Sequence, residues 1–296
     1  METDEREALF AACSNAGRWG PDDELGTLNL ITPDTRRRAA QLVVEGLSVS
    51  MAADLSLQHS PMTDALRSHT PFADPAAPFA VADEITLQVH GWGTHLDAVG
   101  HIFNDGVGYN ARRRSEVFSD KGLAANAITS VKHGVFTRGV LLDVASARGV
   151  PWLAADHLIT RHELEHAEEL AGVHVEAGDA LILHTGLAAR VAADPTGDMG
   201  RRAGVGVDAV LWLHERDVAV FGGDCVDLLP GPDPDLPLPL HQLGIGAMGL
   251  TLLDWARLDD VLELCARLHR HDFLLTVAPL PIVGGTGSPV NPIATF

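Results

Sequence analysis

Length, composition and charge restrict the classes of function open to this chain. Its 296 residues are 46% hydrophobic and 21% charged, which is ample for a packed core and excludes a disordered or fibrous protein. Lys and Arg number 21 against 40 Asp and Glu, so the formal net charge is −19. Because so acidic a protein is repelled by polyanions, we expect neither nucleic acid nor an anionic membrane surface as a partner.

Cysteine usage and the N-terminal sequence indicate a cytoplasmic protein. Cys13, Cys225 and Cys265 lie far apart and form no CxxC, so neither a disulfide framework nor a thiolate zinc site is expected. The first ten residues, METDEREALF, are acidic where a signal peptide would be basic. No apolar run reaches the roughly 18–20 residues that a membrane span requires.

The first predicted element is a helix in ITPDTRRRAAQLVVEG. Thr32 suits its N-cap, Pro33 its first turn, and Gly46 its end. Residues 56 to 82 follow as a polar, Pro-containing stretch without periodicity, which indicates an excursion of the kind that often lies over a site. We expect a single domain over residues 1–296, with residues 1–82 as an N-terminal extension packed on it.

The next segments predict an α/β domain. DEITLQVH alternates, with Ile85, Leu87 and Val89 on one face, so a half-buried strand is expected in which His90 points to the polar side. From residue 139 onward, strand-like runs such as GVLLDVA and DALILHTG alternate with helical ones. This alternation is typical of α/β proteins.

The densest group of chemistry-bearing residues is HGWGTHLDAVGHIF, residues 90–103. If residues 94–97 are extended, His95 and Asp97 project from the same face while Leu96 packs behind them. Both could then hold one metal ion. The alternative is a set of scattered surface histidines beside a Gly-rich turn.

Two more histidines flank this pair. Gly91 and Gly93 would let the backbone fold tightly enough to bring His90 to the same ion. His101, four residues beyond Asp97, lies past the reach of the strand and could stand on a turn facing a metal-bound water.

A competing metal motif is the HELEH run from His162 to His166, which matches the H-E-x-x-H pattern of zinc proteases. Thr160 and Glu163 form a predicted capping box, which places the motif in the first turn of its helix. The two histidines fall opposite the apolar stripe of Leu164, Ala167 and Ala171. We therefore expect a solvated helix face here.

Two later features of the sequence are weaker evidence for a functional site. Residues 244–249, GIGAMG, match the dinucleotide pattern G-x-G-x-x-G, but a Pro-interrupted segment precedes them, so close packing of a helix or turn explains the glycines better. His241 and Asp254 could complete the metal site, whereas periodicity alone assigns them to a loop and a helix cap.

The run GTHLDAVGH, Gly93 to His101, resembles the shared signature of the cyclase family of metal-dependent hydrolases, which includes bacterial kynurenine formamidase and isatin hydrolase. Further segments resemble the longer members of that family in the same order along the chain. They are GRWGPDDELGTLNLIT, TRGVLLDVA, GDALILHTG and GGTGSPVNPIA.

The resemblance implies roles for individual residues. It makes His95 and Asp97 metal ligands, with Asp97 able to bridge two ions, and His101 the acid/base histidine. It adds His241 and, five residues after Gly249, Asp254 as further ligands.

This chain departs from the family pattern at three positions. His90 stands five residues before His95 where the family has four, so either a bulge absorbs the extra residue or His90 is not a ligand. Val99 replaces the usual proline. Asp254 replaces a glutamate and is one methylene shorter, so it could reach one ion instead of two. Whether the chain holds one ion or two is therefore open.

The resemblance also implies a fold and a reaction. The fold is α/β of the swivelling β/β/α type, a mixed sheet with surrounding helices, assembled as a homodimer or homotetramer. The reaction is hydrolysis of a small-molecule amide, N-formyl group or lactam by a water that Zn²⁺ or Mn²⁺ activates. The alternatives are a lactonase or a dehydratase/cyclase on the same metal site, or a catalytically silent metal- or ligand-binding homologue.

Overall fold

The computed structural model describes residues 3–57, 66–231 and 233–296. The strands are β1 (Ser48–Ser50), β2 (Leu66–Ala73), β3 (Val81–Leu87), β4 (His95–Asp97), β5 (Phe118–Ser119), β6 (Gly122–Leu123), β7 (Val135–Asp143), β8 (Leu158–Ile159), β9 (Ala180–His184), β10 (Gly204–Val205), β11 (Val220–Gly223), β12 (Thr251–Asp254), β13 (Asp272–Val277), β14 (Gly287–Pro289) and β15 (Ile293–Thr295).

Helices connect and cover these strands. The α-helices are α1 (Thr3–Ala12), α2 (Pro33–Ala40), α3 (Arg114–Val117), α4 (Val144–Ala147), α5 (Arg161–Ala171), α6 (Leu187–Ala193), α7 (Val207–Glu215) and α8 (Asp259–Leu268). Short 3₁₀ helices span Gly26–Leu30, Tyr109–Ala111 and Ile128–Val131, and a π-helix spans Leu240–Met248. Within the described ranges, no helix is long and apolar enough to cross a membrane.

A nine-stranded sheet organises the molecule, in the order β1-β15-β13-β7-β9-β11-β12-β4-β14. The neighbours β7, β9, β11 and β12 run parallel, whereas β4 and β14 on one side and β13, β15 and β1 on the other are joined by antiparallel pairs. This arrangement is the α/β class and the mixed sheet with surrounding helices that the sequence analysis predicts.

Both faces of the central strands are buried. Successive residues of β9 belong alternately to two hydrophobic clusters, with Leu181 and Leu183 in one and Ala180 and Ile182 in the other. Helices α5 and α7 contribute to the first cluster, and α8 contributes to the second. A strand that is buried on both faces carries a nearly continuous apolar run, and the central strands β7, β9 and β11 contain such runs.

The predicted N-terminal helix is confirmed at its start and differs at its end. The Thr32 side chain accepts from the backbone N–H of Thr35 and caps α2, but the helix ends at Ala40 instead of extending to Gly46. The chain turns away because the backbone N–H groups of Glu45 and Gly46 donate to the carbonyl of Phe296, at 3.1 and 2.8 Å. Strand β1 then joins the edge of the central sheet; a boundary of the extension at residue 82 stays a prediction.

The strand predicted for residues 83–90 is present as β3, but the prediction that it is half-buried is wrong. Within the described ranges β3 pairs with β2 only, in a separate two-stranded sheet, and Ile85 is 54% exposed. The apolar residues do alternate, but Val81 and Ile85 are both exposed among the residues that the structure describes. Of the excursion predicted over residues 56–82, residues 58–65 lie outside the described residues, and most of the remainder forms this hairpin.

Candidate metal centre

The centre is built on two antiparallel neighbours, β4 and β12. Leu96 is fully buried in the core, and His95 and Asp97 project to the opposite side, with Nε2 of His95 3.5 Å from Oδ1 of Asp97. The strand register sets Asp254 directly opposite His95, and its Oδ2 lies 3.9 Å from the same Nε2. The alternation predicted for residues 94–97 is confirmed.

His241 reaches the same place from another element. It lies at the start of the π-helix, and its Nε2 is 3.5 Å from Oδ2 of Asp97 and 3.6 Å from Oδ2 of Asp254. The buried carboxylate of Asp227 accepts from Nδ1 of His241, and it also accepts from the backbone N–H of Leu240 at 2.8 Å. A carboxylate behind a histidine fixes the ring and its tautomer, which is the usual arrangement behind a metal-ligating histidine.

His90 also joins the cluster in spite of its longer spacing. It stands in the turn that follows β3, and its Nδ1 lies 3.0 Å from Oδ1 of Asp97. Its Nε2 forms a hydrogen bond of 2.7 Å with the hydroxyl of Thr286. The turn through Gly91 and Gly93 therefore absorbs the extra residue between His90 and His95.

His101 stands on the turn after β4, where its backbone N–H donates to the carbonyl of Ala98 at 2.9 Å. Its ring stacks on that of His90, with centroids 3.8 Å apart and planes 6° from parallel. The possible ligand atoms form two groups, and within each group they lie no more than 4.8 Å apart. One group is His90, His95 and Asp97, and the other is Asp97, His101 and His241. Asp97 belongs to both groups, a position suited to a carboxylate that bridges two ions.

The residues present fit a bound cation. Four side-chain atoms in the centre are buried without a hydrogen-bond partner, namely Nδ1 of His90, both carboxylate oxygens of Asp97 and Oδ1 of Asp254. Leaving a buried polar atom unpaired costs about 1–3 kcal/mol, and more when the group is charged. A divalent ion between these atoms would satisfy them together, and His and carboxylate ligands suit Zn²⁺ or Mn²⁺.

The electrostatics of the centre favour a cation and a neutral His101. Burial would raise the pKa of Asp97, but the surrounding imidazoles, His241 first among them, hold it well below its usual value. Burial and the nearby charge of Asp97 raise the pKa of Asp254 to about 6. Burial also lowers the pKa of His101 to about 4, so that imidazole is neutral near pH 7.

The centre opens into a cavity of about 330 Å³. His95, His101, His241 and Asp254 form one wall. The rest of the lining comes from Arg67 of β2, from residues 88 and 90–92, which follow β3 and include His90 and Trp92, and from Ile102, Arg202, Leu238 and Trp255. A cavity of this size takes a small molecule with one or two rings.

The HELEH histidines do not join the centre. Helix α5 begins with the predicted capping box between Thr160 and Glu163. His162 and His166 are both exposed, while Leu164 and Ala167 are buried. The prediction of a solvated helix face is confirmed.

The G-x-G-x-x-G run is a packing feature, as predicted. It lies in the π-helix and ends at Gly249, whose φ of +70° favours glycine. A Cβ at Gly246 would meet Nδ2 of Asn104 at 2.3 Å, and one at Gly249 would meet the ring of Tyr109 at 2.4 Å. Both glycines permit close approach within the fold.

Sequence reasoning missed Asp227. Its role depends on contact with His241 across 14 residues and a Pro-rich loop, which no local pattern reveals. The sequence offers one signal, namely acidic residues directly after a buried strand, in FGGDCVD.

Comparison with known proteins defines the class. The family model described as "Putative cyclase" matches residues 47–228, and the chain belongs to this cyclase family. The crystal structure of a novel cyclase is 30% identical with a TM-score of 0.85 and covers 96% of this chain and 99% of its own. No curated protein sequence matches.

Isatin hydrolases share the fold. Isatin hydrolase A from Ralstonia solanacearum is 24% identical with a TM-score of 0.59, over 89% of this chain and 97% of its own. Isatin hydrolase A from Labrenzia aggregata, bound to benzyl benzoate, is 22% identical with a TM-score of 0.61, over 84% and 93%. This chain therefore has the fold found in isatin hydrolases.

Proposed function

We propose that this protein is a metal-dependent hydrolase that cleaves an amide, N-formyl or lactam C–N bond in a small molecule. The observation that carries the proposal is the set of buried, unpartnered carboxylate and imidazole atoms facing one another at the base of a ligand-sized cavity. Membership of the cyclase family and the fold shared with isatin hydrolases support the same reaction class. The proposed ligands are His90, His95, Asp97, His241 and Asp254.

The residues of the centre have distinct roles. When bound, one or two Zn²⁺ or Mn²⁺ ions supply a Lewis acid for a carbonyl and a nucleophilic water at neutral pH. Asp227 orients His241, and Asp97 lies within reach of both groups of ligands. His101, neutral and facing the cavity, takes the proton from the water and delivers it to the leaving nitrogen.

Turnover assays test this proposal. The protein is stripped with a chelator, reloaded with Zn²⁺ or Mn²⁺, and assayed with N-formylkynurenine, isatin and a panel of lactones. We expect C–N cleavage that depends on the metal. Turnover of lactones alone would identify a lactonase. Loss of water from a substrate would identify a dehydratase/cyclase, and metal binding without any turnover would identify a silent homologue.

Assembly and location are further parts of the proposal. The family resemblance supports a homodimer or homotetramer, and three separated, unpaired cysteines support a cytoplasmic location. Light scattering coupled to size-exclusion chromatography tests the first. A mass of one chain, 31.4 kDa, would contradict it.

A further inference from the structure

Arg202 projects from a fixed stretch of backbone into the wall of the cavity that contains the metal centre. Its backbone N–H donates to the carbonyl of Leu229, and its carbonyl accepts from the N–H of Leu229, both at 3.0 Å. Strand β10 begins two residues later, at Gly204. The Cα position of Arg202 is therefore held from two sides.

Two tryptophans complete this part of the wall. The rings of Trp92 and Trp255 lie 4.4 Å apart, and the guanidinium carbon of Arg202 is 5.7 and 5.0 Å from their centroids. Trp255 directly follows the ligand Asp254 and has a φ of +59°, a conformation that bulky residues rarely adopt and that clusters at functional sites. A hydrogen bond of 2.7 Å from the Thr94 hydroxyl to the Trp255 carbonyl holds it there.

The guanidinium of Arg202 has few partners of its own. Its Nε is buried without a hydrogen-bond partner, and NH1 makes one long contact, 3.5 Å, to the carbonyl of Met199. Among the described residues, no carboxylate lies within 4.0 Å of it. In a chain with 40 acidic side chains, an arginine in a cavity without an acidic partner leaves its fork of donors available to an incoming anion.

We propose that Arg202 binds a carboxylate of the substrate, and that the substrate is a carboxylated aromatic amide, N-formyl compound or lactam whose ring packs against Trp92 and Trp255. The inference rests on the proposed function, because it requires that the scissile bond lie at the metal centre. Arginine pairs with a carboxylate through two parallel hydrogen bonds, which fixes orientation as well as affinity. Arg202 is thus a positioning and specificity residue and takes no part in bond cleavage.

A matched substrate series tests this assignment by kinetics. Formanilide and the 2-, 3- and 4-carboxylated N-formylanilines share one scissile bond and differ in the carboxylate. For the metal-loaded enzyme we expect kcat/KM for the best carboxylated isomer to exceed that for formanilide by roughly 10- to 100-fold, mainly through KM. Arg202→Met should reduce this ratio to about one, and Arg202→Lys should retain part of it.

Arg201→Met is the matched control, because it removes the same charge one residue away. Arg201 is exposed, lies 3.8 Å from Asp156, and lines a different cavity. We expect it to keep both the preference and the basal activity. Wild-type preference for formanilide, or an equal loss on both kinds of substrate in Arg202→Met, would overturn the proposal and assign Arg202 a structural role.

A binding experiment separates this inference from the proposed function. Calorimetric titration of the metal-loaded protein with benzoate and its neutral analogue benzamide requires no turnover. We expect Arg202→Met to weaken benzoate binding by roughly 10-fold or more, with little change for benzamide and none in Arg201→Met. This result without hydrolysis of any test substrate would refute the proposed function only. Hydrolysis without any effect of Arg202 on benzoate would refute this inference only.

Discussion

The buried carboxylate of Asp227 accepts a hydrogen bond from Nδ1 of the half-buried imidazole of His241. The bond leaves Nε2 to face Asp97 and Asp254, at 3.5 and 3.6 Å. The negative charges of Asp227, Asp97 and Asp254 outweigh burial and raise the pKa of His241 well above its usual value. These carboxylates favour a positive charge on the ring, in the form of a proton on Nε2. A divalent cation bound at Nε2 would supply that positive charge instead.

Asp227→Asn is therefore expected to weaken metal binding without removing a ligand. Loss of such a supporting carboxylate typically costs 10- to 100-fold in metal affinity. Competition with a chromophoric chelator measures the change. Asp260→Asn, on the exposed first turn of α8, serves as the control and should leave affinity unchanged. Equal affinities for wild type and Asp227→Asn would contradict the role assigned to Asp227.

His95→Ala and Asp97→Ala should each abolish metal binding and activity. Both side chains are almost completely buried, His95 lines the cavity, and Asp97 belongs to both candidate groups of ligands. Elemental analysis of the purified variants gives the number of ions per chain. Full metal occupancy in either variant would show that the ion is held elsewhere.

The double variant His162→Ala with His166→Ala should keep its metal and its turnover. Both histidines lie on the exposed face of α5, away from the cavity. The same elemental analysis and the same activity assay apply. Zinc lost from this variant would mean that the protease-like motif holds the ion.

His101→Ala should lose activity but keep its metal. General acid–base catalysis contributes about 10²–10⁴-fold to rate, so kcat should fall by that factor while metal content stays the same. Elemental analysis accompanies the kinetics. Loss of the metal would instead make His101 a ligand together with Asp97 and His241, the second group within coordination reach.

A half-buried ion pair outside the metal centre, between His184 and Asp143, predicts how stability depends on pH. His184 and Asp143 are opposite one another at the ends of β9 and β7, with Nδ1 2.8 Å from Oδ1. Burial would lower the pKa of His184, but Asp143, Asp224 and the more distant Asp259 raise it above its usual value. The pKa of Asp143 is lowered, because contacts to His184 and Ser146 outweigh its burial.

These directions give the pair a defined pH window. The His184 contribution is complete below the unfolded pKa of about 6.5 and is lost as the pH rises through the higher folded pKa. The Asp143 contribution is present above its unfolded pKa of about 3.9 and is lost as the pH falls through the lower folded value. The pair therefore stabilises the fold most between about pH 4 and pH 6.5.

Urea unfolding of His184→Gln tests this window. We expect the variant to lose about 1–3 kcal/mol in the free energy of unfolding near pH 6, and clearly less at pH 9. His166→Gln, at an exposed position, should behave like wild type at both values. A loss of the same size at pH 6 and pH 9 would show that packing, and not charge, holds His184.

Local patterns predicted those parts of the site that are close together in the chain. Alternation in β4 placed His95 and Asp97 on one side, and the capping box of α5 correctly removed HELEH from the site. The same reasoning failed for β3, because alternation reports which residues share a face and not whether another layer covers that face.

Contacts between distant segments could not be read from the sequence. Arg202 meets Trp92 and Trp255 only because strands and loops far apart in the chain converge at one end of the sheet. Periodicity assigned Asp254 to a helix cap, whereas it lies at the end of β12 beside β4. Its role as a candidate ligand came from the family resemblance.

Anomalous diffraction from crystals of the metal-loaded protein tests the central claim most directly. The account predicts one or two peaks at the base of the cavity, within about 2.0–2.2 Å of the ligating nitrogen and oxygen atoms for zinc. The ligands should include Nε2 of His241, a nitrogen of His95 and an oxygen of Asp97. A peak at His162 and His166, or the absence of any peak in the cavity, would contradict it.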